Sequence, residues 1–228
     1  MARKNISEEG RRRAVIEGIY PSVDGGRFPA KRAEGDRLVV EADVFGDGHD
    51  TLRCVLRYRR EEAKDWTETE MAFADNDRWR GEFRVGAPGR YRYTVCAWVD
   101  TFLSWRKDFA KRVDVADVAL ALQGGAQLVA QAAARAKAAD ARTLAGIAEK
   151  LKGSGDLEAR QALALGDELL ALMTRYPDRG FADTYSPELR LTVDPRRARC
   201  SAWYEMFPRS CSAEPGRHGT FSNTPCRP

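Results

Sequence analysis

Short runs of alternating apolar and polar residues dominate the first hundred positions. Residues 38–45, 52–59, 78–85 and 91–99 each place apolar side chains on one face, and the opposite face is repeatedly Arg or Glu. A period of two is typical of strands with one buried face. Strands of this kind bury that face against a second sheet, so the pattern predicts a β-sandwich of roughly 100 residues. Turn-forming clusters separate the runs: Asp24-Gly25-Gly26, Gly46-Asp47-Gly48, Asp75-Asn76-Asp77 and Ala87-Pro88-Gly89.

The apolar period changes after Val113. Apolar residues then recur every three or four positions among many alanines, which predicts helices from Asp114 to Arg175, arranged as an antiparallel hairpin or small bundle. Gly153-Ser154-Gly155 predicts a break, and Asp156 is the expected N-cap of a helix that ends before Tyr176-Pro177. Residues 189–193 alternate again. We therefore expect a strand that returns to the sandwich and makes the helices an insertion.

Composition excludes several classes of protein. Among 228 residues, Lys and Arg number 38 against 34 Asp and Glu, a surplus too small and scattered to favour nucleic acid as a partner. No stretch is long and apolar enough to predict a membrane span. Residues 1–13 are basic without the apolar core of a secretory signal, so the default expectation is a soluble, cytoplasmic protein.

Five cysteines are widely spaced and contain no CxxC motif, so they predict neither a zinc clip nor a complete disulfide framework. Cys54 and Cys96 are spaced like an immunoglobulin bridge. Strand alternation argues against that bridge, because Cys54 shares the apolar face of its run whereas Cys96 lies opposite the apolar face of its own. We expect free thiols.

Six stretches, in this order, resemble the N-terminal part of the bacterial α-1,4-glucan:maltose-1-phosphate maltosyltransferases, a branch of the α-amylase superfamily (glycoside hydrolase family 13). The resemblance covers about Ala14 to Phe221. The matching stretches are Ser22 to Arg32, Val40 to Phe45, Gly48-His49-Asp50, Asn76 to Gly81, Tyr93 to Asp100 and Ser201 to Ser210.

This resemblance implies a β-sandwich with a helical insertion, both helping to build a homodimer, followed by a (β/α)8 catalytic barrel. The aromatic stretch 201–210 would be the first barrel strand. In the family, the aspartate nucleophile and the glutamate acid lie on later barrel strands. A barrel takes ~250 residues, and this sequence has 28 after Cys200, so we expect a chain truncated before its catalytic residues.

The predicted fold class is therefore α+β: an immunoglobulin-like β-sandwich with an inserted α-helical hairpin or small bundle, plus an orphan first barrel strand. The predicted divisions are a disordered basic tail at 1–13, a sandwich at 14–113 with 185–195, a helical insertion at 114–180, and a truncated barrel start with a disordered tail at 199–228. The predicted function is a non-catalytic scaffold or dimerisation part of a maltosyltransferase acting in glycogen-like glucan synthesis. The alternative is a free-standing α-glucan-binding module.

Tryptophans are the candidates for glucan binding, because a sugar ring can stack on an indole. Trp79 shares the apolar face of its run and is expected in the core. Trp98 shares the face of Thr94 and Cys96, which makes it a candidate platform, or a residue packed under the helices or against a twin subunit. Trp105 is a second candidate. Residues 126–141 are rich in alanine and predict either a dimer seam or an exposed helix.

Other polar residues offer weaker candidates. Glu205 lies among aromatic residues, but glycosyl transfer needs two carboxyl groups, so pairing with Arg209 is the preferred interpretation. His49 lies in a turn, and residues 216–219 form either an anion-binding loop or a disordered tail. The two histidines lack partners at metal-ligand spacing, so the sequence predicts no metal site and no cofactor.

Overall fold

The computed structural model describes residues 11–201, 205, 207, 209, 212 and 214–219. They form two β-sheets and a group of helices. The strands are β1 (Ala14–Tyr20), β2 (Ala30–Ala33), β3 (Arg37–Gly46), β4 (Leu52–Arg60), β5 (Thr67–Glu70), β6 (Ala72–Asp75), β7 (Arg78–Arg84), β8 (Gly89–Val99), β9 (Asp183–Thr184) and β10 (Leu189–Asp194). The helices are α1 (Thr101–Phe109), α2 (Val115–Arg135), α3 (Ala138–Lys152), α4 (Leu157–Ala164) and α5 (Asp167–Arg175).

The strands divide between a four-stranded sheet, ordered β1-β3-β7-β6, and a six-stranded sheet, ordered β2-β10-β8-β4-β5 with β9 beside β8. Pairing is antiparallel except between β10 and β2, which run parallel. One buried cluster takes side chains from both sheets, including Leu38, Phe83, Tyr93 and Leu191. The predicted alternation is confirmed, because the apolar face of each predicted run contributes to this cluster.

The cysteines follow the predicted parity. Cys54 lies in the cluster between the sheets, whereas Cys96 lies on the opposite face with Val55 and Trp98. Both are free thiols. Cys211 and Cys226 lie outside the described residues.

The helices build a second buried cluster, which includes Leu122, Val129, Leu144 and Leu172. The break at residues 153–155 is confirmed, and Asp156 caps α4 by accepting a hydrogen bond from the backbone N–H of Ala159 at 3.0 Å. The single helix predicted after Asp156 is in fact two, α4 and α5. No helix among the described residues has the length and apolar character that a membrane span requires.

The helical part begins earlier than predicted. The sequence placed its start at Asp114, but α1 starts at Thr101, where the side chain of Asp100 accepts a hydrogen bond from the N–H of Leu103 at 2.9 Å. The chain returns to the sheet at β9, where Asp183 lies opposite Ala97 of β8. The predicted returning strand is β10, which pairs with β8.

The alanine-rich stretch 126–141 is not one continuous helix. It is split between α2 and α3, which meet at Ala136 and Lys137. Ala126, Ala132 and Ala148 are buried in the helical cluster. Small side chains thus let α2 and α3 pack closely within the chain.

The N-terminal segment differs from the prediction, and most of the predicted barrel strand lies outside the described residues. The tail predicted at 1–13 is ordered at Arg13, which forms ion pairs with Asp47 and Asp50 at 2.7 and 2.6 Å; residues 1–10 lie outside the described residues. Of the predicted barrel strand, residues 202–204, 206, 208 and 210 lie outside the described residues, and Glu205 and Phe207 are exposed and not in a strand.

Candidate functional site

Trp98 lies near the end of β8, the central strand of the six-stranded sheet. It is on the predicted face, opposite the core residues Val95 and Ala97. Its side chain is only 1% exposed, however. The interpretation of Trp98 as an exposed platform is therefore wrong, because another segment of the same chain covers the indole.

The segment between α5 and β9 supplies that cover. The guanidinium carbon of Arg179 lies 4.3 Å from the centroid of the Trp98 ring, and that of Arg53 lies 5.3 Å from it. Ala182 packs on the same cluster. Among the described residues, the buried indole Nε1 has no hydrogen-bond partner. The two cations thus contact a desolvated aromatic ring, an arrangement in which cation–π attraction is strongest.

Arg53 connects the sheet to the helices. Its side chain is 9% exposed and lies 3.6 Å from the carboxylate of Asp100, itself 8% exposed. Arg53 also donates to the carbonyl oxygen of Thr174 at the end of α5, at 3.1 Å, and pairs with Glu70 of β5. One buried cation therefore joins β4 and β5 to the cap of α1 and the end of α5.

A cleft of about 360 Å³ opens beside Trp98. Phe181, 42% exposed, forms an aromatic wall, and the Arg11 guanidinium lies 4.3 Å from its ring centroid. The remaining lining residues are Arg13, Val99, Thr101 and Asp178. An aromatic wall with a few polar groups is the usual lining of a small-molecule site.

Trp105 is half-buried and packs among the helices. Its ring stacks on Phe109 with centroids 4.9 Å apart, and its Nε1 donates to the carbonyl oxygen of Ala121 at 3.0 Å. The ring also fills the space above Gly125 of α2. The ring of Trp105 is thus engaged mainly in contacts between α1 and α2.

Two further tryptophans, Trp79 and Trp66, also have structural partners; Trp203 lies outside the described residues. Trp79 packs against the core as predicted and donates to the carbonyl oxygen of Val44 at 3.2 Å. Trp66 is half-buried, with the guanidinium carbons of Arg57 and Arg59 at 5.2 and 4.7 Å from its ring. Both rings are thus engaged in contacts within the two-sheet part.

The weaker candidates are not brought together. His49 and His218 are exposed in loops far apart in the sequence, and Glu205 is exposed. Within the part of the chain that the structure describes, no three His, Cys, Asp or Glu side chains are grouped to hold a metal ion.

Sequence reasoning missed Arg53, Arg179 and Phe181, which shape the surroundings of Trp98. A signal existed for Arg53, because it pairs across the sheet with Trp98 in the same antiparallel register. No local pattern marks Arg179 or Phe181, since both lie in an irregular segment brought to the sheet by the helices.

Comparison with known protein families shows which family the chain resembles. Residues 12–195 match the family described as alpha-1,4-glucan:maltose-1-phosphate maltosyltransferase, domain N/S. The chain belongs to this maltosyltransferase family. The match spans both sheets and all five helices, so the resemblance first seen in short stretches extends across the two-sheet and helical parts.

Curated maltosyltransferases show the same relationship. The protein from Chlorobaculum tepidum is 50% identical over 214 residues, covering 93% of this chain and 32% of its own length. The protein from Myxococcus xanthus is 43% identical over 217 residues, covering 90% and 32%. That from Salinibacter ruber is 39% identical over 202 residues, covering 87% and 30%. The chain thus spans about a third of these maltosyltransferases.

Proposed function

We propose that these residues form the non-catalytic N-terminal part of a maltosyltransferase that transfers maltosyl from maltose 1-phosphate to α-1,4-glucan in glycogen-like glucan synthesis. The observation that carries the proposal is the match of residues 12–195 to the N/S domain of that family. In this proposal the two sheets are an immunoglobulin-like sandwich, the helices are an insertion, and residues 199–228 lead toward the catalytic barrel.

The state of the acidic residues supports a non-catalytic role. Retaining glycosyl transfer needs a carboxylic acid whose pKa is raised by its surroundings. The opposite holds for Glu61, because a hydrogen bond from Arg92 lowers the pKa of its carboxyl group. Asp178, in the cleft beside Trp98, lies 3.8 Å from Arg135. The arginine partner of Glu61 thus favours its ionised form, which cannot protonate a leaving group.

The contacts of Arg53 support a scaffold role. A buried side chain that binds β5, the cap of α1 and the end of α5 fixes the helices against the sheet. The function of such a unit is to hold surfaces in a set orientation.

Exposed apolar residues at the start of α2 support a homodimer. Val113, Val115 and Leu120 are 93%, 67% and 72% exposed. Large exposed apolar groups at the end of a helix can serve as a protein contact site. We expect a second copy of the chain to cover them. Light scattering after gel filtration should show a dimer for the natural chain and a monomer for Val115→Glu/Leu120→Glu, while Phe73→Glu on the four-stranded sheet should leave the dimer intact.

The proposed lack of transferase activity is tested by phosphate release. The purified chain, incubated with maltose 1-phosphate and maltohexaose, should release phosphate at the rate of the protein-free blank. The Chlorobaculum tepidum maltosyltransferase is the matched positive control. Release above the blank by this chain would contradict the non-catalytic assignment.

A second candidate function is α-glucan binding, favoured by the cleft that Phe181 and Trp98 line. Titration calorimetry with maltoheptaose should then give saturable heats that Phe181→Ala abolishes. Phe73→Ala, which removes a 60% exposed ring from the other sheet, is the control. Absence of binding by the natural chain would exclude this candidate and leave the scaffold proposal unaffected.

The cytoplasmic location remains part of the proposal. It is supported by the free thiols of Cys54 and Cys96, since reducing compartments keep cysteines unpaired.

A further inference from the structure

Three arginines form a row across the outer face of the six-stranded sheet. Arg92 of β8 lies directly opposite Arg59 of β4 on one side and Arg190 of β10 on the other. Like charges directly opposite one another destabilise a sheet. This row therefore requires compensation by other charges.

The next row adds two more cations. Arg90 of β8 lies opposite Thr192 of β10, and Thr192 lies opposite Lys31 of β2. Their strand neighbours Tyr91 and Leu191 are buried in the core between the sheets, so these three residues are on the outer face. We call this set the cationic edge: Lys31, Arg59, Arg90, Arg92 and Arg190.

Two carboxylates only partly neutralise the cationic edge. Glu61 binds Arg92 through Nε and Nη2, at 3.1 and 2.6 Å. Glu188 lies 3.3 Å from Arg59 and 3.9 Å from Arg92. These carboxylates are thus engaged mainly by Arg59 and Arg92.

The other three cations are left with little compensation. Arg190 donates to the carbonyl oxygen of Arg27 and acts on the carboxylate of Glu61 only at longer range, where it helps to lower the pKa of that group. Arg90 is 79% exposed and lies 3.9 Å from Glu61. The surplus positive charge is therefore concentrated around Thr192.

A cleft lies at this position. Its volume is about 210 Å³, and its lining includes Pro29, Arg90, Arg190 and Thr192. Glu61 also lines the cleft, and Arg92 binds its carboxylate. This is smaller than the ~300–1,000 Å³ of drug-sized ligand sites. Two guanidinium groups and a hydroxyl group offer donors that suit a tetrahedral oxyanion, which arginine binds through paired N–H groups.

We infer that the cleft at the cationic edge binds a phosphoryl anion, either inorganic phosphate or the phosphoryl group of a sugar phosphate. Arg90 and Arg190 supply the charge, and Thr192 supplies a hydroxyl donor. Bound phosphate replaces the missing counter-charge of the sheet, so binding also stabilises the fold. This inference is independent of transferase activity, since it concerns only residues of the two-sheet part.

Titration of the full 228-residue chain tests the inference. Inorganic phosphate should bind saturably, and it should raise the thermal unfolding midpoint more than chloride at matched ionic strength. Arg90→Gln/Arg190→Gln should weaken phosphate binding at least tenfold. Both side chains are exposed, so the variant should fold, and it should be more stable than the natural chain without phosphate because like charges are removed. Arg80→Gln, an exposed arginine on the other sheet, should leave binding unchanged.

A parallel titration with maltose 1-phosphate distinguishes the two sources of the anion. Affinity equal to that of inorganic phosphate supports recognition of the phosphoryl group alone, and higher affinity supports added contacts with the sugar. Equal effects of phosphate and chloride, equal loss in Arg80→Gln, or binding of poly-glutamate but not phosphate would each overturn the inference. The last outcome would indicate a docking surface for an acidic protein segment.

Discussion

Nη1 of Arg53 donates to the carbonyl oxygen of Thr174 at 3.1 Å, which connects two residues 121 positions apart in the chain. The same guanidinium lies 3.6 Å from Asp100 and contacts the Trp98 ring. This side chain thus fastens the end of α5 to the sheet from which α1 departs. Replacing Arg53 therefore measures how much this contact between the helices and the sheet stabilises the fold.

Arg53→Ala should lower the free energy of unfolding by about 3–5 kcal/mol, since it leaves the buried Asp100 without its partner. Arg53→Lys should lie between the natural chain and Arg53→Ala, because an ammonium group cannot reproduce the planar set of donors. Urea unfolding followed by far-UV circular dichroism measures both. Arg80→Ala is the control, with an expected change within about 0.5 kcal/mol. An equally small change for Arg53→Ala would show that the helices are held by apolar packing alone.

Two adjacent glycines of α2 should respond oppositely to alanine. A Cβ atom on Gly125 would lie 2.2 Å from the Trp105 ring, whereas one on Gly124 would meet nothing within 4 Å. Gly125→Ala should therefore destabilise the chain by about 1–3 kcal/mol through overpacking. Gly124→Ala should stabilise it by about 0.5–1 kcal/mol, because alanine loses less backbone entropy in a helix. Thermal unfolding of the pair decides this, and a gain in stability for both would refute the described position of Trp105.

Tyr93 should make stability fall at high pH. Burial raises its pKa from 10.0 to about 12, because the interior disfavours the phenolate. The unfolded chain thus loses the proton first, so stability is complete below pH 10 and declines as pH rises toward about 12. The total decline attributable to Tyr93 is about 3 kcal/mol. Urea unfolding between pH 8 and 12 measures it.

Tyr93→Phe should remove this part of the pH dependence. It should also lower stability at pH 8 by about 1 kcal/mol, because the hydroxyl no longer donates to the carbonyl oxygen of Pro21. Tyr20→Phe, which alters a 50% exposed ring, should keep the natural pH profile. An unchanged profile in Tyr93→Phe would assign the decline to other groups.

The cysteines should differ in reactivity. Burial raises the pKa of the Cys54 thiol, so both access and thiolate formation are suppressed, whereas Cys200 is exposed. Brief treatment with iodoacetamide at pH 8 should label Cys200 and spare Cys54, and both should be labelled in urea. Mass spectrometry of the digested chain reports each site separately. Comparable labelling of Cys54 in the native chain would contradict its burial.

Alternation was sufficient to predict the long strands, and it failed where the backbone interrupts it. In β1 the register shifts between Ile16 and Gly18, so the buried residues Ile16 and Ile19 are three positions apart rather than two or four. A bulge of this kind erases the period that sequence reasoning relies on. The strand was therefore missed although its apolar residues were plain to see.

Helix α1 was missed for a different reason. Asp100 is an N-cap, and Phe102, Trp105 and Phe109 follow at helical spacing, so a local signal was present. Trp105 was instead interpreted by analogy with the strand tryptophans. Asp100 predicts the start of α1 better than this analogy does, because an N-cap marks where the spacing of apolar residues changes from two to three or four.

The candidate site shows the limit of parity arguments. Alternation places Trp98 on the outer face, and the structure agrees, but alternation does not reveal what lies above that face. The cover comes from Arg179 and Ala182, about 80 positions later, in a segment without periodicity. Long-range burial of this kind is decided by how the helices pack, which no local pattern encodes.

The pairing of Ala97 with Asp183 means that the chain leaves and re-enters the sheet at one place. The two ends of the helical segment are thus held side by side by neighbouring strands, whatever lies between them. The entropic cost of closing a loop grows only slowly with its length. The helical segment can therefore be lengthened, shortened or exchanged during evolution without displacing a strand. The sheet can therefore stay constant while the helical surface diversifies.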